Sequence, residues 1–280
     1  VVAAKKGLGS DAPVHLFGAG HPMVFALAAL VGCDLFDSAA YALYAKDGRY
    51  LTPRGTKHVG ELHELPCGCE ICANHSPGEL RDEFDLLAKH NLDVSLAEMR
   101  RVRQAIAEGN LYELVEQRCR SHPRLLDGLE RLKRHVETLE KYDPASKGTF
   151  FYLGTAKRPE VLRHHERLDR IDVDGDEILL TTVNERAKRD DALLVEPPFG
   201  PFPRELTNVY PLNAETPETP DDDAIESALK GVSRLAELHP DTEFVFEHTG
   251  WEHPLLETLE SQGVEIRDLS GDTRTDMENS

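Results

Sequence analysis

Val14-His15-Leu16-Phe17-Gly18-Ala19-Gly20-His21-Pro22-Met23-Val24-Phe25-Ala26-Leu27-Ala28-Ala29-Leu30-Val31-Gly32-Cys33-Asp34-Leu35-Phe36-Asp37 is the stretch that decides the fold. Val14 to Phe17 reads as a short buried strand, Gly18-Ala19-Gly20 as a loop, and Pro22 at a helix start leads an apolar helix to about Val31. Gly32 ends that helix, and Cys33 to Phe36 reads as a second strand. Strand, helix and strand within about 24 residues form a βαβ unit, because parallel strands require a crossover of this kind. The expected class is therefore α/β, with a parallel sheet or a (β/α) barrel as the candidate architectures. In both, ligands sit on loops beyond the C-terminal ends of the strands, which puts Gly18 to His21 and Asp37 to Tyr41 on one rim.

A second signal lies in Pro66-Cys67-Gly68-Cys69-Glu70-Ile71-Cys72, with three thiols inside six residues. Three soft sulfur donors this close suit one tetrahedral zinc, which needs a fourth sulfur or nitrogen. His90, eighteen residues beyond Cys72, is the better fourth donor. A helix over roughly Pro77 to Lys89 would carry the chain away from the cysteines and return an imidazole to them. His75 is the rival, since it would close the site locally. Disulfides fit poorly, because three neighbouring cysteines leave one unpaired and no secretory pattern accompanies them.

The 280 residues, 40% of them hydrophobic, suffice for one large domain or two ordinary ones. No apolar run approaches a membrane span, so a cytoplasmic protein without a membrane partner is expected. The net charge is −19, from 51 acidic and 32 basic residues, with arginine about twice as frequent as lysine. Such acidity usually argues against nucleic acid as a partner. It also matches a protein adapted to molar salt, where the Debye length falls to about 3 Å and local basic patches decide binding. Such a patch is expected on the helices read over roughly Leu96 to Glu140, which carry Arg100, Arg101, Arg103, Arg118, Arg120, Arg124, Arg131, Lys133 and Arg134.

Further along, Tyr44 to Leu51 reads as a hairpin turning at Asp47-Gly48. Turn formers from Tyr142 to Gly148 mark a domain boundary. The expected organisation is a first domain over residues 1–145 with a zinc subdomain at about 60–120, a smaller α+β domain over 146–272, and a disordered tail at 273–280. Strands are read at Thr149–Leu153, Glu177–Thr182, Ala192–Glu196, Phe244–Glu247 and Val264–Arg267, with helices near Asp223–Glu237 and Pro254–Gln262. Val1-Val2-Ala3-Ala4 opens in mid-phrase, so the chain is expected to start inside a domain.

Asp34 and Asp37 are three apart, so an extended strand points them to opposite faces and one of them can face the rim. Asp37, just past the apolar strand and followed by Ser38-Ala39-Ala40, is the candidate nucleophile, base or metal ligand. Gly18-Ala19-Gly20 lacks the rest of a dinucleotide fingerprint and reads as close backbone approach to a flat ligand. His164 and His165 lie in a polar run and read as solvated.

Together, His15-Leu16-Phe17-Gly18-Ala19-Gly20-His21-Pro22, Gly32-Cys33-Asp34-Leu35-Phe36-Asp37-Ser38, Cys67-x-Cys69-x-x-Cys72 and His90-Asn91-Leu92 resemble the tRNA-guanine transglycosylase family. The archaeal branch fits best, through Tyr41 to Asp47, His122 to Gly128 and Pro197 to Leu206, in the family's order over nearly the whole chain. The resemblance implies the C-terminal part of a TIM (β/α)8 barrel with an inserted zinc subdomain. It also implies exchange of guanine at position fifteen, in the tRNA D-arm, for 7-cyano-7-deazaguanine on the way to archaeosine. Carried over by motif, Asp37 is the nucleophile that holds the ribose covalently. Phe17 and the Gly18 backbone line the base pocket, and Cys67, Cys69, Cys72 and His90 hold one structural Zn2+. A homodimer through the zinc subdomain is compatible with the resemblance. A barrel takes about 250 residues, so the first half is expected to lie elsewhere and the chain to be inactive without it. The rival readings are an archaeosine synthase paralogue, whose Pro-Cys and Lys-Pro-Tyr signature finds no match here, and a non-catalytic tRNA-binding zinc subunit.

Overall fold

The chain divides into two units, Val1–Pro144 and Ala145–Ser280. A computed structural model describes residues 1–9, 11–141, 150–151, 156–173 and 175–270. The expected linker at 142–148 and tail at 273–280 lie outside the described residues.

In the first unit, helix α1 (Val2–Leu8) precedes strand β1 (His15–Leu16), helix α2 (Phe25–Leu30) and strand β2 (Leu35–Phe36). β1 and β2 pair in parallel, His15 opposite Leu35 and Leu16 opposite Phe36. The βαβ unit is therefore present, with shorter strands than the apolar runs imply and a 3-10 turn at Pro22–Val24 before α2. Helix α3 (Ala40–Lys46) follows, then an antiparallel hairpin of β3 (Arg49–Thr52) and β4 (Gly55–His58). Asp47-Gly48 does not turn that hairpin as expected. It ends α3, with Gly48 in the left-handed region (φ 62°) that suits glycine at a helix C-terminus.

The predicted helix from Pro77 to Lys89 is two helices. Helix α4 (Glu70–Asn74) leads to α5 (Pro77–Asp82), opened by Pro77 and a capping box between Ser76 and Glu79. Glu83 is extended, and α6 (Phe84–Glu108) then runs without a break through residues read as two segments. Helices α7 (Leu111–Cys119), α8 (Pro123–Leu132) and α9 (Val136–Glu140) complete the unit. Phe25 and Ala26 of α2 pack with Val102, Val115, Cys119 and Leu129 in one core, while Ala45, Tyr50, Val59, Leu80, Leu87 and Ala88 form another beneath the cysteine loop. Among the described residues this unit holds one parallel strand pair and one hairpin, which do not close a barrel.

The second unit comprises β5 (Phe150–Phe151), α10 (Pro159–His165), β6 (Glu177–Thr181), β7 (Ala192–Glu196), β8 (Gly200–Phe202), β9 (Ala214–Glu215), α11 (Asp222–Leu238), β10 (Glu243–His248), α12 (Leu255–Ser261) and β11 (Glu265–Asp268). The main sheet runs β11-β10-β6-β7-β8, parallel throughout except for the antiparallel β7–β8 edge. Mostly parallel pairing makes this unit α/β, where the sequence reading expected α+β; strand order is set by long-range pairing that local patterns do not encode. Asp221 caps α11 through a 2.8 Å bond from the Ala224 N–H. Its apolar face, Ala228, Leu229, Val232 and Leu235, packs on Ile178, Leu180, Phe244 and Phe246. Gly200 (φ 88°) lets β8 touch this helix, because a Cβ there would stand 2.9 Å from the Ala228 carbonyl oxygen.

His164 and His165 are not solvated as expected. Their Nε2–H groups donate to the carbonyls of Pro201 (3.1 Å) and Phe199 (2.8 Å). Burial pushes the His164 pKa from 6.5 to about 4 and lowers that of His165. A folded pKa below the unfolded one means stability is fully present above pH 6.5 and is lost as pH falls toward 4. His164 alone accounts for about 3 kcal/mol over that window. Fluorescence of Trp251, the single tryptophan and a buried residue of this unit, followed in urea at pH 7 and pH 5, should show the midpoint drop. Equal midpoints would refute the neutral buried imidazoles. No helix among the described residues is long and apolar enough to cross a membrane.

Candidate functional site

Two chemically distinct constellations lie in the first unit. The first is the rim at the ends of β1 and β2. His15 pairs with Leu35, and alternation along a strand then sets His15, Phe17, Leu35 and Asp37 on one face. Asp34 points the other way. Its Oδ2 accepts 2.8 Å bonds from the Lys5 ammonium and the Val14 N–H, and Lys5 also donates to the Ala12 carbonyl. Those bonds hold the Asp34 carboxyl below the usual range, the Lys5 hydrogen bond contributing most. Lys5 is buried against Gly32, so this ion pair fastens α1 and β1 to β2. Sequence reasoning did not single out Lys5, because nothing local marks its partner 29 residues away.

Asp37 is left for the rim. Its Oδ1 accepts a 2.9 Å bond from the Gly18 N–H, and His15 Nε2 stands 3.3 Å from the same oxygen. Gly18 adopts φ 78°, which favours glycine and turns its N–H toward Asp37. Phe17 beside it is 84% exposed, with its ring edge-on to His15 at 6.1 Å. Of the two glycines in this loop, Gly20 packs against the protein itself, while Gly18 has open space beside its Cα. A Cβ on Gly20 would lie 2.8 Å from Ser38 Cα and 2.9 Å from the Asp37 carbonyl oxygen.

The second constellation is a sulfur and nitrogen cluster. The Sγ atoms of Cys67, Cys69 and Cys72 and a ring nitrogen of His90 all lie within 4.8 Å of one another. His90 Nδ1 is 3.2 Å from Cys72 Sγ and 3.5 Å from Cys69 Sγ. A zinc with bonds near 2.3 Å to sulfur has tetrahedral edges of about 3.8 Å, so separations of this size suit four donors around one ion. His75 is elsewhere, 3.3 Å from Glu79 Oε1 at the start of α5. Of the two candidate fourth donors, His90 is the one brought to the cysteines.

The long α6 is what delivers His90, in its second turn, against the hairpin. The imidazole stacks on Tyr50 (3.7 Å between centroids, 14° between planes), and its Nε2–H donates to the Leu51 carbonyl at 3.1 Å, leaving Nδ1 toward the sulfurs. Such a bond on the remote nitrogen sets the tautomer a metal ligand needs. Tyr50 OH lies 3.3 Å from Cys72 Sγ. Burial raises the Cys67 thiol, pushes Cys72 up to about 12 and brings His90 down to about 4. All three shifts favour neutral side chains, and a divalent cation would reverse that balance by supplying charge for thiolates.

Next to His90, Asn91 is fully buried and ties the hairpin to α6. Its Oδ1 accepts from the Leu51 N–H (2.8 Å), and its Nδ2 donates to the Tyr41 (3.1 Å) and Arg49 (3.0 Å) carbonyls. Asn91→Ala leaves these buried groups unpaired and should cost about 3 kcal/mol in urea unfolding. A loss below about 1 kcal/mol would mean the hairpin does not depend on it. Tyr50 and Asn91 were not read as parts of a site; their spacing from the cysteines carries no signal until the hairpin folds against α6.

The basic helices are partly spent internally. Buried Glu98 accepts from Arg118 (2.6 and 3.0 Å) and Arg101 (3.2 Å), and Arg131 pairs with Asp127 at 3.0 Å. A cavity of about 600 Å³ between the hairpin, the cysteine loop and α6 is bordered by Thr52, Cys69, Asp93, Arg100 and Arg101. Asp37 does not line it.

The family described as queuine tRNA-ribosyltransferase matches residues 1–124, the part that carries both constellations. A tRNA-guanine(15) transglycosylase of Haloferax volcanii is 56% identical over 279 residues, covering 96% of this chain and 54% of the relative. One of Haloarcula marismortui is 54% identical, covering 96% and 56%, and one of Methanosarcina acetivorans is 52% identical, covering 92% and 54%. The chain spans about half the length of the curated relatives it matches. With identity above half along nearly all of its own length, including the motifs that build the rim and the cluster, the chain belongs to the tRNA-guanine transglycosylase family.

Proposed function

We propose that this chain supplies the nucleophile and the metal knuckle of an archaeal tRNA-guanine(15) transglycosylase, which replaces guanine in the tRNA D-arm by 7-cyano-7-deazaguanine for archaeosine. The observation that carries the reading is Asp37, placed past the end of a parallel strand with one oxygen held by the Gly18 N–H and an exposed aromatic, Phe17, alongside. A flipped nucleotide would present C1′ to this carboxylate, with Phe17 and the Gly18 backbone against the base. Both contacts on Asp37 go to Oδ1, so Oδ2 attacks C1′ while the C1′–N9 electron pair leaves with guanine. The departed guanine takes up a proton at N9 and the incoming base gives one up from N9, with no net change across the exchange; the new base then attacks C1′ and returns the C1′–Oδ2 pair to the carboxylate.

Cys67, Cys69, Cys72 and His90 would hold a structural zinc, since four protein donors leave no position for a reactive water. Its contribution is folding energy for the loop between hairpin and α6. The β1-α2-β2 unit is taken as part of a TIM barrel, with the remaining strands in the rest of the relatives' length. The free arginines of the basic helices are the surface offered to tRNA.

The test is base exchange in molar salt, following labelled guanine into tRNA. This chain alone should bind zinc and show no exchange, and adding the remaining segment of the relatives' length should restore it. Exchange by this chain alone would overturn its dependence on that segment. Inactivity in the mixture with tRNA still bound would point to a tRNA-binding subunit or to chemistry on the base already inserted.

A further inference from the structure

We propose that His15 is a positioning residue for Asp37, orienting its carboxylate for attack and stabilising it as it leaves the ribose; this rests on Asp37 being the nucleophile. The register places His15 opposite Leu35, and Asp37 is two residues further on the same face, so the imidazole and the carboxylate look across the same strip of sheet. Nε2 stands 3.3 Å from Oδ1, and both side chains are partly exposed, at 45% and 35%. Such contacts in ligand-free sites shorten when substrate closes over them. Phe17, edge-on at 6.1 Å, braces the ring. The Gly18 N–H donates to Oδ1 and His15 Nε2 stands beside the same oxygen, close enough to donate after a small rotation of the ring, and Oδ2 is left for C1′.

A group at Oδ1 acts differently in the two halves of the exchange, orienting the carboxylate for attack in the first and stabilising its returning charge in the second. After attack by Oδ2, Oδ1 becomes the carbonyl oxygen of an ester between Asp37 and the ribose. When the new base attacks C1′, the C1′–Oδ2 electron pair returns to the carboxylate and charge spreads back onto Oδ1. Donors waiting at Oδ1 make that carboxylate a better leaving group. A single preorganised donor at a developing oxyanion is worth about 10²-fold or more in rate. The Gly18 donor is backbone and survives any side-chain change, so His15 is the adjustable half of the pair.

The experiment uses the full-length enzyme with His15→Phe, which keeps a ring against Phe17, and His15→Gln, which keeps an N–H donor. Equilibrium tRNA binding, metal content and the single-turnover rates of adduct formation and base incorporation are measured. His15→Phe should bind tRNA within about twofold of wild type, retain its metal, and slow base incorporation about 10²-fold, with a smaller loss in adduct formation from the misoriented carboxylate. His15→Gln should recover at least about tenfold of that loss. Wild-type rates in His15→Phe, or a defect confined to tRNA binding, would overturn the positioning role and leave the nucleophile reading intact. A wild-type enzyme that forms no adduct and tolerates Asp37→Asn would overturn the nucleophile reading, and the role of His15 with it.

Discussion

Asp37→Asn in the full-length enzyme is expected to abolish the covalent RNA adduct on denaturing gels and to lower base exchange by on the order of 10⁴-fold or more. The amide can still accept the Gly18 N–H at the position of Oδ1, so the loop and the β1–β2 pairing are retained. What is lost is the anionic oxygen that must bond to C1′. Thermal unfolding and tRNA binding should therefore match wild type, and the whole effect should fall on the chemical step. An Asp34→Asn protein gives the contrast. It breaks the Lys5 pair at the foot of β2, so its defect should appear in stability rather than in adduct formation. Full exchange by Asp37→Asn would remove Asp37 from the reaction and favour a scaffold role.

Cys72→Ser, or treatment with a strong chelator, is expected to release the metal and unfold the segment around α4. That helix holds no buried residue, and the stretch from Leu62 to Cys72 meets the core beneath it only through the partly buried Leu62, Leu65, Cys67, Ile71 and Cys72. Apolar burial in this stretch is small, so a bound ion would supply much of what holds it. Structural zinc in small knuckles is worth about 10–16 kcal/mol of apparent binding energy, of which several kcal/mol should appear as lost stability here. Elemental analysis should give one zinc per chain in the parent and none in Cys72→Ser or His90→Ala. His75→Ala should retain it, because that imidazole faces Glu79. Unchanged metal content in Cys72→Ser would refute the cluster as the binding site.

The rim was legible in the sequence because its information is local. Gly18-Ala19-Gly20, Pro22 and Gly32 punctuate an apolar strand, helix and strand, and the three-residue spacing of Asp34 and Asp37 separates their faces. The helix break at Glu83 was not legible, since Pro77 to Lys89 keeps a helical pattern on both sides of one extended residue. The hairpin was misplaced for a similar reason, because Asp-Gly suits a helix end as well as a tight turn.

By itself, then, the sequence determined the βαβ unit, the three cysteines as one donor set and the acidic composition with its arginine-bearing helices, all readable from local pattern and composition. The tertiary structure alone decided that His90 and not His75 meets the sulfurs, that Lys5 neutralises Asp34, that His15 and Gly18 converge on one oxygen of Asp37, and that His164 and His165 are buried. Those outcomes depend on chain segments 18 to 37 residues apart being packed together. Hydrogen bonds and desolvation act across that packed distance, and no local pattern of residues records which partner they will find.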